Sequence, residues 1–145
     1  MAEWSALCDE LNAWSSSRRK ATLWWRDDDA CSATGNLERL LNVAKSHRIP
    51  LCLAAIPNAV QPDLRSLLEA GGDIAIAVHG ITHENFAVSG AKKCELTENR
   101  PIEATAKQLV YGLERLIEVA GEMTIPVLVP PWNRIAPAFI PLLPG

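Results

Sequence analysis

A chain of 145 residues that is 48% hydrophobic and 21% charged has the length and composition of one folded domain, not of a disordered or low-complexity protein. Its formal net charge of −3, with Arg18, Arg19 and Lys20 as the one tight basic cluster, argues against a nucleic-acid surface. No apolar run reaches membrane-span length, the first ten residues lack the basic n-region of a secretory signal, and the cysteines form no CxxC pair. The expected setting is therefore cytoplasmic, with free thiols buried in the fold.

Residues 3–14 carry Trp4, Leu7, Cys8, Leu11 and Trp14 at the helical period and predict an amphipathic helix with Cys8 on its apolar face. The serines at 15–17 end it. Residues 21–26 are apolar almost throughout and predict a first strand, covered on both faces as parallel strands are. Asp27, Asp28 and Asp29 follow it directly. A second helix over 36–46 turns Leu37, Leu40 and Leu41 inward, and LCLAAI at 51–56 is the second strand. Pro62 suits the first turn of a third helix, which Gly71 and Gly72 stop. DIAIAV at 73–78 is the third strand, followed at once by His79 and His83.

Residues 84–100 are polar, show no period and predict a long loop, a feature that often carries function. A fourth helix spans 101–120 with Leu109, Leu113, Leu116 and Ile117 in its stripe, and TIPVLV at 124–129 is the fourth strand. PPWNR then leads into a proline-rich tail containing Phe139, Ile140, Leu142 and Leu143, too apolar to lie free in water. Strands alternating with helices predict an α/β fold with a parallel sheet and right-handed crossovers. No GxGxxG follows any strand, which removes a dinucleotide-binding reading.

Three segments carry chemistry. An acidic triplet is often a solvated turn, since aspartate caps helices and forms turns. Here it directly follows an aromatic run, and three adjacent like charges repel unless a cation shares them, with Arg26 a partial source of relief. A lone histidine after a strand is usually a structural hydrogen-bonder. Two of them four residues apart, around Gly80, can place both rings on one side of a turn. Neutral imidazole suits a borderline ion such as zinc, and a carboxylate completes the common two-histidine, one-carboxylate set. Pro130, Pro131 and Trp132 terminate the fourth strand and can set Trp132 as the wall of a cleft.

With these residues in place the chain resembles the polysaccharide deacetylase family, which shares the NodB homology domain and is related to carbohydrate esterase family 4. The family's Asp-Asp pair is matched by Asp28 and Asp29, its His-x-x-x-His motif by His79 and His83, and its proline-aromatic motif by Pro130, Pro131 and Trp132. Gly80 stands where the family usually has Ser or Thr, Val129 where it has arginine, and Asn133 where it has glycine. The likeness runs from about Leu23 to Trp132, and the late motifs that carry the family's general acid have no counterpart.

The resemblance implies a partial, deformed (β/α) barrel, with residues 1–145 forming one such domain that lacks the C-terminal strands. It implies Asp28 as catalytic base, with Asp27 able to take one of the acidic roles. Asp29, His79 and His83 become ligands of a divalent metal, zinc, and Trp132, Asn133 and Arg134 line the substrate pocket, Arg134 being placed to replace the missing arginine. The function that follows is hydrolytic removal of N-acetyl groups from a carbohydrate or related small amide. The alternative is an impaired, truncated relative that binds metal or glycan without turnover. Four strands cannot close a barrel, so an open edge is expected to be covered in a homodimer.

Overall fold

The alternation of short apolar runs with amphipathic helices becomes a four-stranded parallel sheet in the computed structural model, which describes residues 4–143. In chain order the elements are α1 (Ser5–Ser16), β1 (Arg26–Ala30), α2 (Gly35–His47), β2 (Leu51–Ala55), α3 (Asp63–Gly71), β3 (Ile74–Val78), α4 (Ile102–Ala120) and β4 (Thr124–Leu128). Short 3-10 turns follow at Pro131–Asn133 and Pro137–Leu142. The strands lie in sequence order, β1-β2-β3-β4, so the described sheet is an open wall with β1 and β4 at its edges.

Period-two alternation divides the sheet into two unlike faces. Leu51, Leu53 and Ala55 of β2 and Ile74, Ile76 and Val78 of β3 point to the helices, against Leu41, Leu64, Leu68 and Leu116. Leu53 and Ile76 are fully buried, each worth about 1.5–3 kcal/mol over exposure. The other face is built from small side chains, Cys52, Ala54 and Ala77, with Ile125 and Val129 at its margin. β2 is buried at every residue, as a central parallel strand should be. Helix α2 starts where Thr34 Oγ1 accepts the Leu37 N–H at 3.2 Å, a side-chain N-cap.

The first strand differs from expectation. Hydrophobicity predicts it at 21–26, yet the ladder runs through Arg26–Ala30, and Leu23 and Trp24 are 89% and 66% exposed. Pairing with β2 decides the matter: Arg26 lies opposite Cys52 and Asp27 opposite Leu53. The three aspartates therefore lie within the strand rather than after it. Helix α1 forms close to its expected place, but none of its residues is buried, and Trp4, Leu7, Leu11 and Cys8 are exposed. Of the four cysteines only Cys52 is buried; all four are free. Burial is the main cause that pushes the Cys52 thiol's pKa up.

The tail packs on its own molecule through Phe139, which is fully buried with Ile81, Leu96 and Leu109. Residues 84–100 form no helix or strand, as expected, but they are fixed: Phe86 N–H donates to Cys94 O at 2.9 Å and Leu96 bridges to Ile135. No helix among the described residues is long and apolar enough to cross a membrane.

Candidate metal centre

The acidic side of the site arises from a bulge. Between the pairs Asp27–Leu53 and Ala30–Ala55, β1 uses one residue more than β2. Bulges bend a strand and re-aim its side chains. The extra residue is absorbed by Asp29, which takes the left-handed conformation at φ +68°, one that aspartate tolerates better than most side chains. Asp27 shares its register with Leu53 and so faces the helix side of the sheet, outside the donor cluster described below. Partial burial, followed by the charges of Asp28 and Asp29, pushes its carboxyl's pKa up.

Asp28 faces the opposite way, as Arg26 does. Arg26 Nε lies 2.8 Å from Asp28 Oδ1, and Nη2 donates to Oδ2 at 3.2 Å and to Asn133 Oδ1 at 3.5 Å. The Nε contact is close but poorly directed, so the buried Oδ1 receives no well-formed hydrogen bond. Arg134, which sequence reasoning offered as the replacement arginine, instead donates from Nη1 to Lys93 O at 3.1 Å. The cation beside Asp28 is Arg26, two residues before it on the same strand face.

The histidine side begins where β3 ends. His79 is 2% exposed; its backbone N–H continues the ladder to Ala55 O at 2.8 Å. Its Nδ1 lies 2.9 Å from Val129 O, a group that can only accept, so Nδ1 donates there and Nε2 is the ring nitrogen turned toward Asp29. Gly80 at φ +62° and His83 at φ +60° then turn the chain so that the two rings lie 5.0 Å apart by centroid.

These parts converge. Asp29 Oδ1 is 3.3 Å from Nε2 of both His79 and His83, and the three donor atoms all lie within 4.8 Å of one another. One carboxylate oxygen and two imidazole nitrogens make a set that could hold a divalent ion. The contact of His79 Nδ1 with the Val129 carbonyl is the kind that orients imidazoles in metal sites. Trp132 packs on His83 at 4.4 Å between centroids. Asn133 and Arg134 border an open groove of about 520 Å³ that Lys92, Thr97 and Asn99 also line. His47 ends α2 and is exposed, away from this cluster. Among the described residues six non-glycine residues have positive φ, and four of them, Asp29, His83, Trp132 and Asn133, are at this site. Such clustering of strained backbone is a mark of functional regions.

Sequence reasoning missed Glu95. It is fully buried, and its carboxylate accepts the backbone N–H groups of Ile81, Thr82 and His83 and the Thr82 hydroxyl. A single acid in an aperiodic stretch carries no signal of this. Arg26 was visible only as relief for the aspartates, not as the partner of one of them.

No family model matches the sequence, and no curated protein does. A solved structure described as "T48 deacetylase with substrate" is similar in fold, with a TM-score of 0.56 and 20% sequence identity over 82% of this chain. The chain spans about half the length of that protein, 53%. At this identity the likeness concerns the arrangement of the sheet and helices, which is that of an α/β fold with its wall left open.

Proposed function

We propose that the chain is a metal-dependent hydrolase of the polysaccharide deacetylase type, acting on N-acetyl groups of a carbohydrate or related small amide. The observation that carries this reading is the convergence of Asp29, His79 and His83 on one point beside an arginine-paired Asp28. Fold likeness to a deacetylase described with substrate supports the same reaction class.

Zinc suits the donors. Asp29 Oδ1 and the Nε2 atoms of His79 and His83 would hold it, one carboxylate oxygen with two imidazole nitrogens being a donor set that zinc takes. Such an ion supplies Lewis acidity, polarising a carbonyl and acidifying water. The chain's own groups do the rest. Asp28, whose side chain is 35% exposed although its Oδ1 is buried against Arg26, takes the proton of the attacking water. Arg26 fixes the orientation of that carboxylate. Trp132 packs on His83 at one side of the centre, and Asn133 and Arg134, the next two residues along the chain, are the groups proposed to meet the substrate.

Titration calorimetry is expected to show one zinc ion per chain. His79→Ala and His83→Ala should each weaken it far more than Trp132→Ala does. Weak, sub-stoichiometric binding that neither histidine variant changes would refute the centre.

A second reading is binding with slow turnover. Cleaving an amide C–N bond needs the leaving nitrogen protonated, and that acid catalysis is worth roughly 10²–10⁴-fold. The donor cluster assigns no residue to it. Acetate release from acetylated chitooligosaccharides by this chain alone should accordingly be slow. Fast release by the monomeric chain, abolished in Asp28→Asn, would overturn this second reading and place an acid at the site.

A homodimer belongs to the same proposal. β4 is an edge strand with Val127 39% exposed, and an apolar groove lined by Val110, Leu113 and Pro126 runs between it and α4. Open edges of this kind invite pairing.

A further inference from the structure

We propose that Glu95 is the positioning residue of this centre: its buried carboxylate shapes the turn that presents His79 and His83. The inference rests on the metal-centre reading above and concerns a residue outside the ligand set.

Three consecutive backbone N–H groups, those of Ile81, Thr82 and His83, point inward from the turn after β3. Successive N–H groups arranged in this way form a nest, a concavity that binds anions. Here the anion belongs to the chain itself. Glu95 Oε1 accepts from Thr82 N–H at 2.8 Å and from the Thr82 hydroxyl at 3.1 Å. Oε2 accepts from Ile81 N–H at 3.1 Å and from His83 N–H at 3.3 Å. Without it the turn would leave backbone N–H groups with no partner.

Gly80 shows that the carboxylate and the turn were shaped together. A Cβ built on Gly80 would overlap Glu95 Oε2 and come within 2.5 Å of Pro131 Cγ. The space that a side chain would fill at position 80 is where the glutamate enters.

The carboxylate is itself held in place. Arg100 Nη1 lies 3.6 Å from Oε1, while the rest of that guanidinium donates to Gln108 Oε1 at 2.8 Å and lies over the Phe86 ring at 4.3 Å. The next residue, Leu96, is fully buried, and its carbonyl accepts the Ala136 N–H at 2.7 Å. Two adjacent residues thus tie the histidine turn to the segment after Trp132. Groups that orient metal ligands from outside typically contribute 10–100-fold in metal affinity.

Co²⁺ is the probe, because its visible bands report ligand geometry. Glu95→Gln keeps the size of the side chain but turns an NH₂ group toward N–H donors. It is expected to weaken Co²⁺ binding by about 10-fold or more and to alter the visible spectrum, whereas Glu98→Gln, exposed on the same stretch, leaves both unchanged. Folded Glu95→Gln that binds Co²⁺ within about 2-fold of wild type, with the same spectrum, overturns the inference. Hydrogen exchange on the metal-free wild-type protein is the second measurement. Amides of residues 81–83 should be protected, and exchange at open-loop rates refutes the anchor even where Glu95→Gln fails to fold. A wild-type chain that binds no Co²⁺ while these amides are protected overturns the metal centre instead.

Discussion

Two stretches without a place in the sheet behave in opposite ways. Residues 4–25 include an apolar stripe at the helical period, yet α1 buries no residue, and the side-chain contacts of its Trp14 are local: Trp14 Nε1 donates to Glu10 at 2.7 Å and Arg19 stacks on Trp14 at 4.2 Å. Residues 84–100 have no period at all, yet Glu95 and Leu96 are as buried as any core strand residue. Periodicity reports which backbone form a segment can take. It does not report whether a partner surface exists, which is a property of the whole fold.

The sharpest way to test this contrast is Leu96→Ala. Removing a fully buried leucine should cost about 2–5 kcal/mol, read as a fall in the urea midpoint at constant slope. A loss under about 0.5 kcal/mol would make the stretch as loose as its sequence suggests. Gly80→Ala comes next. It forces a Cβ onto the Glu95 carboxylate at a positive-φ position, and a loss of about 1–3 kcal/mol together with weaker zinc binding is expected. Stability unchanged by this variant would mean that the carboxylate and the turn move apart without cost.

The smallest effect belongs to the arm. Trp4→Ala and Leu7→Ala, both at exposed positions, should change the stability of dilute protein by no more than about 0.5 kcal/mol. Sedimentation at micromolar concentration is expected to show a homodimer, and a compact monomer there would end that proposal. If either arm variant instead lowers stability only at concentrations where the dimer forms, the arm is part of the contact.

Much of this was legible in the residues. The strand and helix order follows from LCLAAI, DIAIAV and the Leu109–Leu116 stripe because burial in a parallel sheet demands those patterns. The His79–His83 spacing with Asp29 named the donor cluster that the fold assembles. β1 was misplaced because an apolar run is only a candidate strand; the pairing with Cys52 and Leu53 selected RDDDA over the more hydrophobic TLWW. The pairing of Arg26 with Asp28 depended on that strand assignment, since only within a strand do residues two apart share a face. Glu95 was out of reach for a different reason: its partners lie 12–14 positions earlier and are backbone groups, which leave no trace in residue identity.

The four left-handed residues at the site carry a consequence for anyone altering this protein. Asp29, His83, Trp132 and Asn133 hold a backbone form that glycine adopts freely, and a non-glycine residue there costs on the order of 1–2 kcal/mol. Directed evolution for heat resistance alone would therefore reward glycine at these four positions. The population would grow hardier while discarding two of the three candidate metal ligands, the aromatic ring beside them and the amide that Arg26 reaches.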